Sequence, residues 1–220
     1  RLAARRPEPP LPETPRGHPP AATPRLAEQL ARPAASADYC GFVIDRESAR
    51  SALDELVGDC AVRCAPRFAI GRGGETKAYI LDGDMVAKWE PGSGPSARVA
   101  IARDAIPSHN VFLFHQTSRH EVYSDRARAS TMVAADDVIL VNERGEITQA
   151  TNTNVAVLID GRWCTPPIES GCLAGVYRQS LIEQGMLEER PITTEEAAAA
   201  EEIALLSSVR GWQRAHLVTE

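Results

Sequence analysis

The sequence predicts an α+β fold built from two small subdomains, and three observations carry that prediction. Apolar residues recur at helical spacing over 26–37 and again over 46–57. Short β-branched runs follow these two segments, and turn-forming residues separate the runs between 137 and 165. No internal repeat is visible. Helices that precede a group of antiparallel strands are typical of this class.

Composition excludes several classes of protein. The 220 residues are 43% hydrophobic and 25% charged, which is typical of a globular chain. A net charge of −6 argues against binding to nucleic acid. No apolar run approaches the roughly 20 residues that a membrane span needs. The five cysteines are scattered without the spacing of metal ligands, so we expect no metal site, reduced thiols and a cytoplasmic location.

The first part of the chain divides into an arm and a subdomain. Residues 1–24 contain half of the 16 prolines, which predicts a disordered arm. Residues 25–108 form the predicted N-terminal subdomain, whose first helix ends at Gly41 and whose second runs from an Asp45 cap to Gly58. Strands are predicted at 67–70, 77–81 and 98–102, with 77–89 as a hairpin. Few strands precede the first helix, so the sheet of this subdomain is predicted to be truncated.

Residues 109–220 form the predicted C-terminal subdomain. An Ala- and Arg-rich helix is expected to end near Ala135, and strands are expected over 138–141 and 155–159. A helix is predicted over 176–184, directly after Gly175. Thr193 or Thr194 is expected to cap a further helix, and 203–206 reads as a strand.

Three polar turns are candidates for a phosphate-binding cup: 149–154, 175–177 and 207–208. The second opens a helix, where free N–H groups and the helix dipole favour an anion. Arg32 or Arg178 would supply the positive charge. Taken alone, a turn of this kind is more often a helix cap or a strand end, and a lone histidine such as His115 is more often a structural residue.

Motifs in the second half resemble those of the class IV aminotransferases, the fold type IV pyridoxal phosphate enzymes. The similarity is greatest to the 4-amino-4-deoxychorismate lyase branch. The matching segments stand in the family's order, and they are Val141-Asn-Glu-Arg-Gly-Glu-Ile-Thr, Asn154-Val, Trp163-Cys-Thr-Pro-Pro, Gly171-Cys-Leu-Ala-Gly-Val-Tyr-Arg178 and Ser208-Val-Arg-Gly-Trp212. Leu30-Ala-Arg32 resembles the helix whose arginine holds the cofactor phosphate, and 112–119 resembles the segment with the Schiff-base lysine.

This resemblance implies a site between the two subdomains, a homodimer and pyridoxal phosphate as cofactor. It also implies either a lyase that releases pyruvate or a transaminase. The residues that it assigns to the cofactor are Arg32, Thr151, Asn152, Thr153, Gly175, Val176, Tyr177 and Ser208.

Two departures change the chemistry that the resemblance implies. The position of the family's lysine is Gln116, and an amide cannot form the internal aldimine or move a proton near pH 7. The position of the acid that pairs with the pyridine nitrogen is Gln149, which carries no charge. The only lysines, Lys77 and Lys88, lie outside the matching segment. We therefore expect no covalent aldimine in this chain.

Three functions remain open from the sequence. The first is a cofactor-independent enzyme or binder of a small anionic metabolite. The second is a non-catalytic pseudoenzyme that acts in dimerisation or regulation. The third is an active lyase or transaminase that uses Lys88. The candidate catalytic residues are His115, Gln116, Arg119, Tyr123 and Gln149.

Overall fold

A computed structural model describes residues 26–58, 65–70, 76–81, 95–115 and 134–218. Several sequence predictions lie outside the described residues: the arm over 1–24, the second half of the 77–89 hairpin, the helix that approaches Ala135, and the candidates Gln116, Arg119 and Tyr123.

The two predicted N-terminal helices are present as α1 (Leu26–Cys40) and α2 (Arg46–Gly58). Gly41 ends α1 with a φ of 68°, a left-handed conformation that suits glycine. The Asp45 carboxylate accepts the first free N–H groups of α2, as predicted for its cap. Apolar residues join the two helices, and they are Leu30, Ala49 and Leu53.

Strands β1 (Ala65–Ile70) and β2 (Thr76–Leu81) form an antiparallel pair. The sequence predicted both strands. Among the described residues, β1 is the strand that pairs with β2.

A mixed sheet of eight strands forms the main body of the described chain. Its order across the sheet is β5-β4-β3-β10-β9-β6-β7-β8. The strands are β3 (Ala97–Ile106), β4 (Asp137–Asn142), β5 (Ile147–Ala150), β6 (Asn154–Ile159), β7 (Arg162–Thr165), β8 (Glu188–Glu189), β9 (Glu202–Ser207) and β10 (Gly211–Leu217). Pairing is parallel for β3 with β4, β3 with β10 and β7 with β8, and antiparallel elsewhere.

Two further helices cover opposite faces of this sheet. Side chains alternate between the faces along each strand, because the strand period is two residues. In β9, Ile203 and Leu205 pack with the face that α4 (Thr194–Ala199) covers. Ala204 and Leu206 of the same strand pack with α3 (Val176–Glu183). Helix α4 begins at Thr193, whose hydroxyl and the Glu196 carboxylate make the predicted capping box.

The structure shows two features that the sequence did not indicate. Strand β3 falls within the 25–108 segment, yet its hydrogen-bonded neighbours are β4 and β10 of the large sheet. The sequence did not predict strand β10, which follows the turn after Ser207. Its residues, Gly-Trp-Gln-Arg-Ala-His-Leu, contain no run of apolar side chains.

Candidate functional site

The loop over residues 171–175 is contacted by helix α1 and by two strands of the large sheet. Nη1 of Arg32 in α1 donates to the carbonyl oxygen of Ala174 at 3.4 Å. From the sheet side, Oε1 of Gln149 accepts the Leu173 N–H at 2.7 Å. Nδ2 of Asn154 donates to the Leu173 carbonyl at 2.8 Å. One helix and two strands therefore hold this loop from both sides.

Helix α3 begins where the loop ends, and its first turn contains the predicted anion-binding amides. The N-cap is Gly175, which supplies no side chain to cap the free N–H groups of the first turn. Val176 and Tyr177 occupy the first two helical positions and are both buried. A helix start without a side-chain cap presents its amides and the positive end of its dipole to a ligand.

Gly175 is required by close packing rather than by its backbone conformation, since its φ is −69°. A Cβ at this position would lie 1.9 Å from Oδ1 of Asn154. We expect Gly175→Ala to push the Asn154 amide off the Leu173 carbonyl, at a cost of about 1–2 kcal/mol for the lost hydrogen bond. Urea denaturation of both proteins measures this change in the free energy of unfolding.

The Asn154→Ala background is the control for that substitution. With the amide removed, the added methyl group meets no side-chain oxygen, and Gly175→Ala should then cost much less. An equal cost in both backgrounds would show that the contact with Asn154 is unimportant.

Arg32 gives the helix start a charged neighbour. Its guanidinium is partly buried, and this desolvation lowers the pKa of Arg32 below its ordinary value. Arginine stays protonated in proteins despite such shifts. Because Ala174 stands two residues before Val176, the bond to its carbonyl places a positive charge beside the start of α3. This combination suits a phosphate or carboxylate group.

Two hydroxyls predicted for the cup differ in their surroundings. The Oγ1 atom of Thr153 is buried and has no hydrogen-bond partner among the described residues. Ser208 is exposed in the turn between β9 and β10. Leu206 near the end of β9 pairs with Asn154 at the start of β6. The turn after β9 therefore lies at the same end of the sheet as Asn154. Thr153 and Ser208 thus flank the end of the sheet nearest the loop.

Thr151 and Asn152 have partners other than the loop. The Thr151 hydroxyl and N–H both donate to Oδ1 of Asp137 at the start of β4. Asn152 in turn donates to the Thr151 hydroxyl at 3.0 Å. A carboxylate in contact with Thr151 disfavours a phosphate there. The sequence grouped Thr151 and Asn152 with the cup because residues 149–154 are all small or polar. Only the fold separates these two residues from the cup.

His115 joins the site to α1. Its Nδ1 lies 3.2 Å from the Ser36 hydroxyl, and its ring stacks on Tyr39 with centroids 4.3 Å apart. His115 directly precedes Gln116 in the sequence. The contacts with α1 give His115 a structural role, and they leave its predicted acid–base role as a prediction.

Arg178, the alternative charged partner for the phosphate, is buried and engaged elsewhere. It pairs with the Glu189 carboxylate and donates to the Pro166 carbonyl at 2.7 Å. Cys172 lies nearby, and burial raises the pKa of its thiol to about 11, so the thiol is protonated at neutral pH. Arg178 therefore has a structural role next to the loop, and Arg32 is the better candidate to bind the anionic ligand.

A polar network beneath the loop accounts for the Asn142-Glu-Arg-Gly-Glu146 motif. Oε2 of Glu146 accepts hydrogen bonds at 2.8 Å from Arg144, Asn142 and Ser170. Arg144 also donates to the Ser108 hydroxyl and to the Glu169 carbonyl. Ser108 packs against Gly171, where an added Cβ would lie 3.2 Å from its Cα. The motif therefore fixes the first residue of the loop.

The network should make stability depend on pH. Its donors, Arg144 first, lower the pKa of Glu146 to about 2 from an ordinary 4.5. A lowered folded-state pKa stabilises the protein above about pH 4.5, and this stabilisation is lost as the pH falls toward 2. We expect Glu146→Gln to cost about 1–3 kcal/mol at pH 7 and much less near pH 2. Urea denaturation at both pH values measures the difference.

Glu202→Gln is the matched control for that change, since Glu202 is exposed in β9. Its effect on the free energy of unfolding should be small at both pH values. A cost for Glu146→Gln that does not vary with pH would contradict the assignment.

Sequence reasoning missed several residues of the site, namely Ser36, Asp137, Leu173 and Ala174. Two of them act through backbone groups, so no side-chain pattern could have found them. Within the part of the chain that the structure describes, no three His, Cys, Asp or Glu residues are grouped to hold a metal. Among the same residues, no helix is long and apolar enough to cross a membrane.

Comparison with known proteins supplies a family. A model of the family described as Amino-transferase class IV matches residues 13–218. A Schizosaccharomyces pombe protein named "Putative aminodeoxychorismate lyase" is 26% identical over 167 residues, which are 74% of this chain and 70% of that protein. The resemblance inferred from the motifs is thereby confirmed.

Solved structures agree with the fold prediction. A Mesorhizobium loti structure described as a "Putative amino-acid aminotransferase" has a TM-score of 0.80 and 31% identity, covering 89% of this chain and 92% of its own. The pyridoxal phosphate-bound form of a hypothetical aminotransferase from Mycobacterium tuberculosis has a TM-score of 0.71 at 22% identity, covering 88% and 76%. The α+β fold of the type IV aminotransferases is confirmed.

Proposed function

This chain belongs to the class IV aminotransferase family, and we propose that it binds a small anionic metabolite reversibly, without forming a Schiff base. The family depends on pyridoxal phosphate, so the first question is which parts of that cofactor the residues of this chain fit. The phosphate end and the ring end of the cofactor lead to different answers.

The phosphate end fits. Arg32 lies beside the start of α3, Gly175 leaves the first amides without a side-chain cap, and the buried Thr153 hydroxyl lacks a partner among the described residues. Positive charge, helix amides and a hydroxyl are the groups that hold phosphate esters. This half of the site supports binding of a phosphate or carboxylate.

The ring end does not fit. Covalent attachment needs a lysine amine, and the ring nitrogen needs an acid to hold its proton. Gln116 and Gln149 stand at these positions. Oε1 of Gln149 accepts the Leu173 N–H at 2.7 Å, so this amide already serves the loop. This hydrogen bond is the observation that carries the proposal. The side chain that holds the loop at this position is an amide, and an amide cannot ionise to keep a proton on the ring nitrogen.

The binding proposal also restricts the chemistry. With no lysine in the matching segment, proton transfer would depend on His115 or Tyr123 of the predicted set. The reaction, where one occurs, would be cofactor-independent. Class IV aminotransferases are typically dimers, and we propose a homodimer for this chain, which light scattering of the purified protein tests.

A titration with pyridoxal phosphate tests the function. We expect reversible binding that inorganic phosphate displaces, weaker binding of pyridoxal, which lacks the phosphate, and no adduct after borohydride reduction. Peptide mass spectrometry can locate any adduct, since the sequence contains only Lys77 and Lys88. An adduct on Lys88 that Lys88→Ala abolishes would instead support a lyase or transaminase. Absence of binding by every phosphate or carboxylate ligand would favour the non-catalytic partner.

A further inference from the structure

An irregularity in β5 directs the Gln149 side chain toward the loop over residues 171–175. The register between β4 and β5 shifts here, so that Thr148 and Gln149 together stand opposite Leu140. The first and last residues of β5 pack into the core on the face that α4 covers, whereas Gln149 reaches the backbone of Leu173. Bulges of this kind change the direction of a side chain and are frequent beside binding sites.

The hydrogen bond with Leu173 fixes the orientation of the Gln149 amide. A backbone N–H is a donor, so the atom at 2.7 Å from the Leu173 nitrogen must be Oε1, and Nε2 carries its two N–H groups elsewhere. Among the described residues, no group accepts a hydrogen bond from Nε2. This atom is not one of the fully buried atoms that lack a partner, so part of its surface is accessible.

The rest of the Gln149 side chain is held firmly, since the residue is only 5% exposed. Asn154, the other side-chain amide that contacts Leu173, is turned the other way. Its Nδ2 atom donates to the Leu173 carbonyl, and its Oδ1 atom lies toward Gly175. Of the two amides, Gln149 is therefore the one that presents unpaired N–H donors. A polar group fixed in this way orients a ligand in a pocket.

These donors lie close to the proposed anion site at the start of α3. Leu173 precedes Val176, the first residue of α3, by three positions, so their Cα atoms are at most about 11 Å apart. One small molecule can span that distance. The accessible N–H groups of Gln149 suit a carboxylate, which only accepts hydrogen bonds, and do not suit an ammonium group, which only donates them.

We propose that Gln149 determines ligand specificity, and that the ligand carries an anionic group for the start of α3 and a carboxylate for Nε2 of Gln149. This inference rests on the proposed function, since it adds a second contact to the anion site. It narrows the ligand class to small molecules with two acidic groups.

Three phosphonates of matched length test this assignment by calorimetric titration of the whole protein. Phosphonopropionate ends in a carboxylate, propylphosphonate in a methyl group and aminoethylphosphonate in an ammonium group. Phosphonopropionate should bind about tenfold more tightly than propylphosphonate, because it adds a hydrogen bond to a charged group. Aminoethylphosphonate should bind no more tightly than propylphosphonate. The same three end groups on a chain one methylene longer cover a wider span.

Gln149→Glu should reverse this order. One carboxylate oxygen can still accept the Leu173 N–H, so the loop should remain in place, while the Nε2 donors are replaced by a negatively charged acceptor. Aminoethylphosphonate should then bind more tightly than phosphonopropionate. Gln184→Glu makes the same change of charge at the exposed end of α3 and should keep the original order.

The outcomes separate this inference from the anion site. Equal affinity for the three phosphonates at both chain lengths, or an unchanged order in Gln149→Glu, would overturn the role of Gln149. Binding of propylphosphonate would still support the anion site in that case. If propylphosphonate also fails to bind, the anion site is wrong and the role of Gln149 falls with it.

Discussion

Replacing Gln116 with lysine is expected to turn reversible binding of pyridoxal phosphate into covalent attachment. The substitution places a primary amine at the position that, by our proposal, corresponds to the family's Schiff-base lysine. After borohydride reduction, mass spectrometry should find one adduct per chain on the new lysine, compared with none on the original protein. The effect is large because it changes the presence of a reactive group rather than its surroundings.

Two further variants make this test specific. Gln184→Lys adds an amine on the exposed end of α3 and should form no stable adduct. Gln149→Glu, added to Gln116→Lys, supplies the missing acid; a carboxylate oxygen can still accept the Leu173 N–H, so the loop should remain in place. Equal labelling at residues 116 and 184 would show that the site does not direct the cofactor to position 116.

Replacing Arg32 with methionine is expected to abolish most of the affinity for phosphate-bearing ligands. A charge-assisted hydrogen bond contributes about 1.5–3 kcal/mol, so the Kd should rise roughly tenfold to a hundredfold. Methionine retains much of the apolar length of the side chain, which limits the loss of packing in α1. Calorimetric titration with inorganic phosphate and with pyridoxal phosphate measures the change.

Arg50→Met is the matched control in the neighbouring helix. Arg50 is 62% exposed and forms an exposed ion pair with Asp54 at 3.5 Å, which contributes little to stability. Its replacement should leave the Kd for phosphate unchanged. If both variants lose affinity equally, the effect arises from net charge and the cup is wrongly assigned. If Arg32→Met binds phosphate normally, another residue supplies the positive charge.

Local sequence signals predicted most elements well. The Asp45 cap, the Gly41 stop and the hairpin turn at Asp160-Gly161 act through neighbours within four residues, so their physics is visible in the chain itself. Strand β10 and the sheet membership of β3 were not predictable in this way. The parallel pairing of β3 with β10 joins residues more than 100 positions apart, such as Ala97 and Ala215.

The site shows the same division. Residue identity alone shows amides at positions 116 and 149, and the resemblance of these segments to the family's motifs is the basis for our proposal that covalent pyridoxal phosphate chemistry lacks its amine and its acid. Only the tertiary structure decided which polar residues face one ligand. It joined Arg32 to Ala174 across 142 positions and paired Thr151 with Asp137. The reason is physical: chemical type belongs to each side chain, whereas hydrogen-bond partners depend on contacts between distant segments.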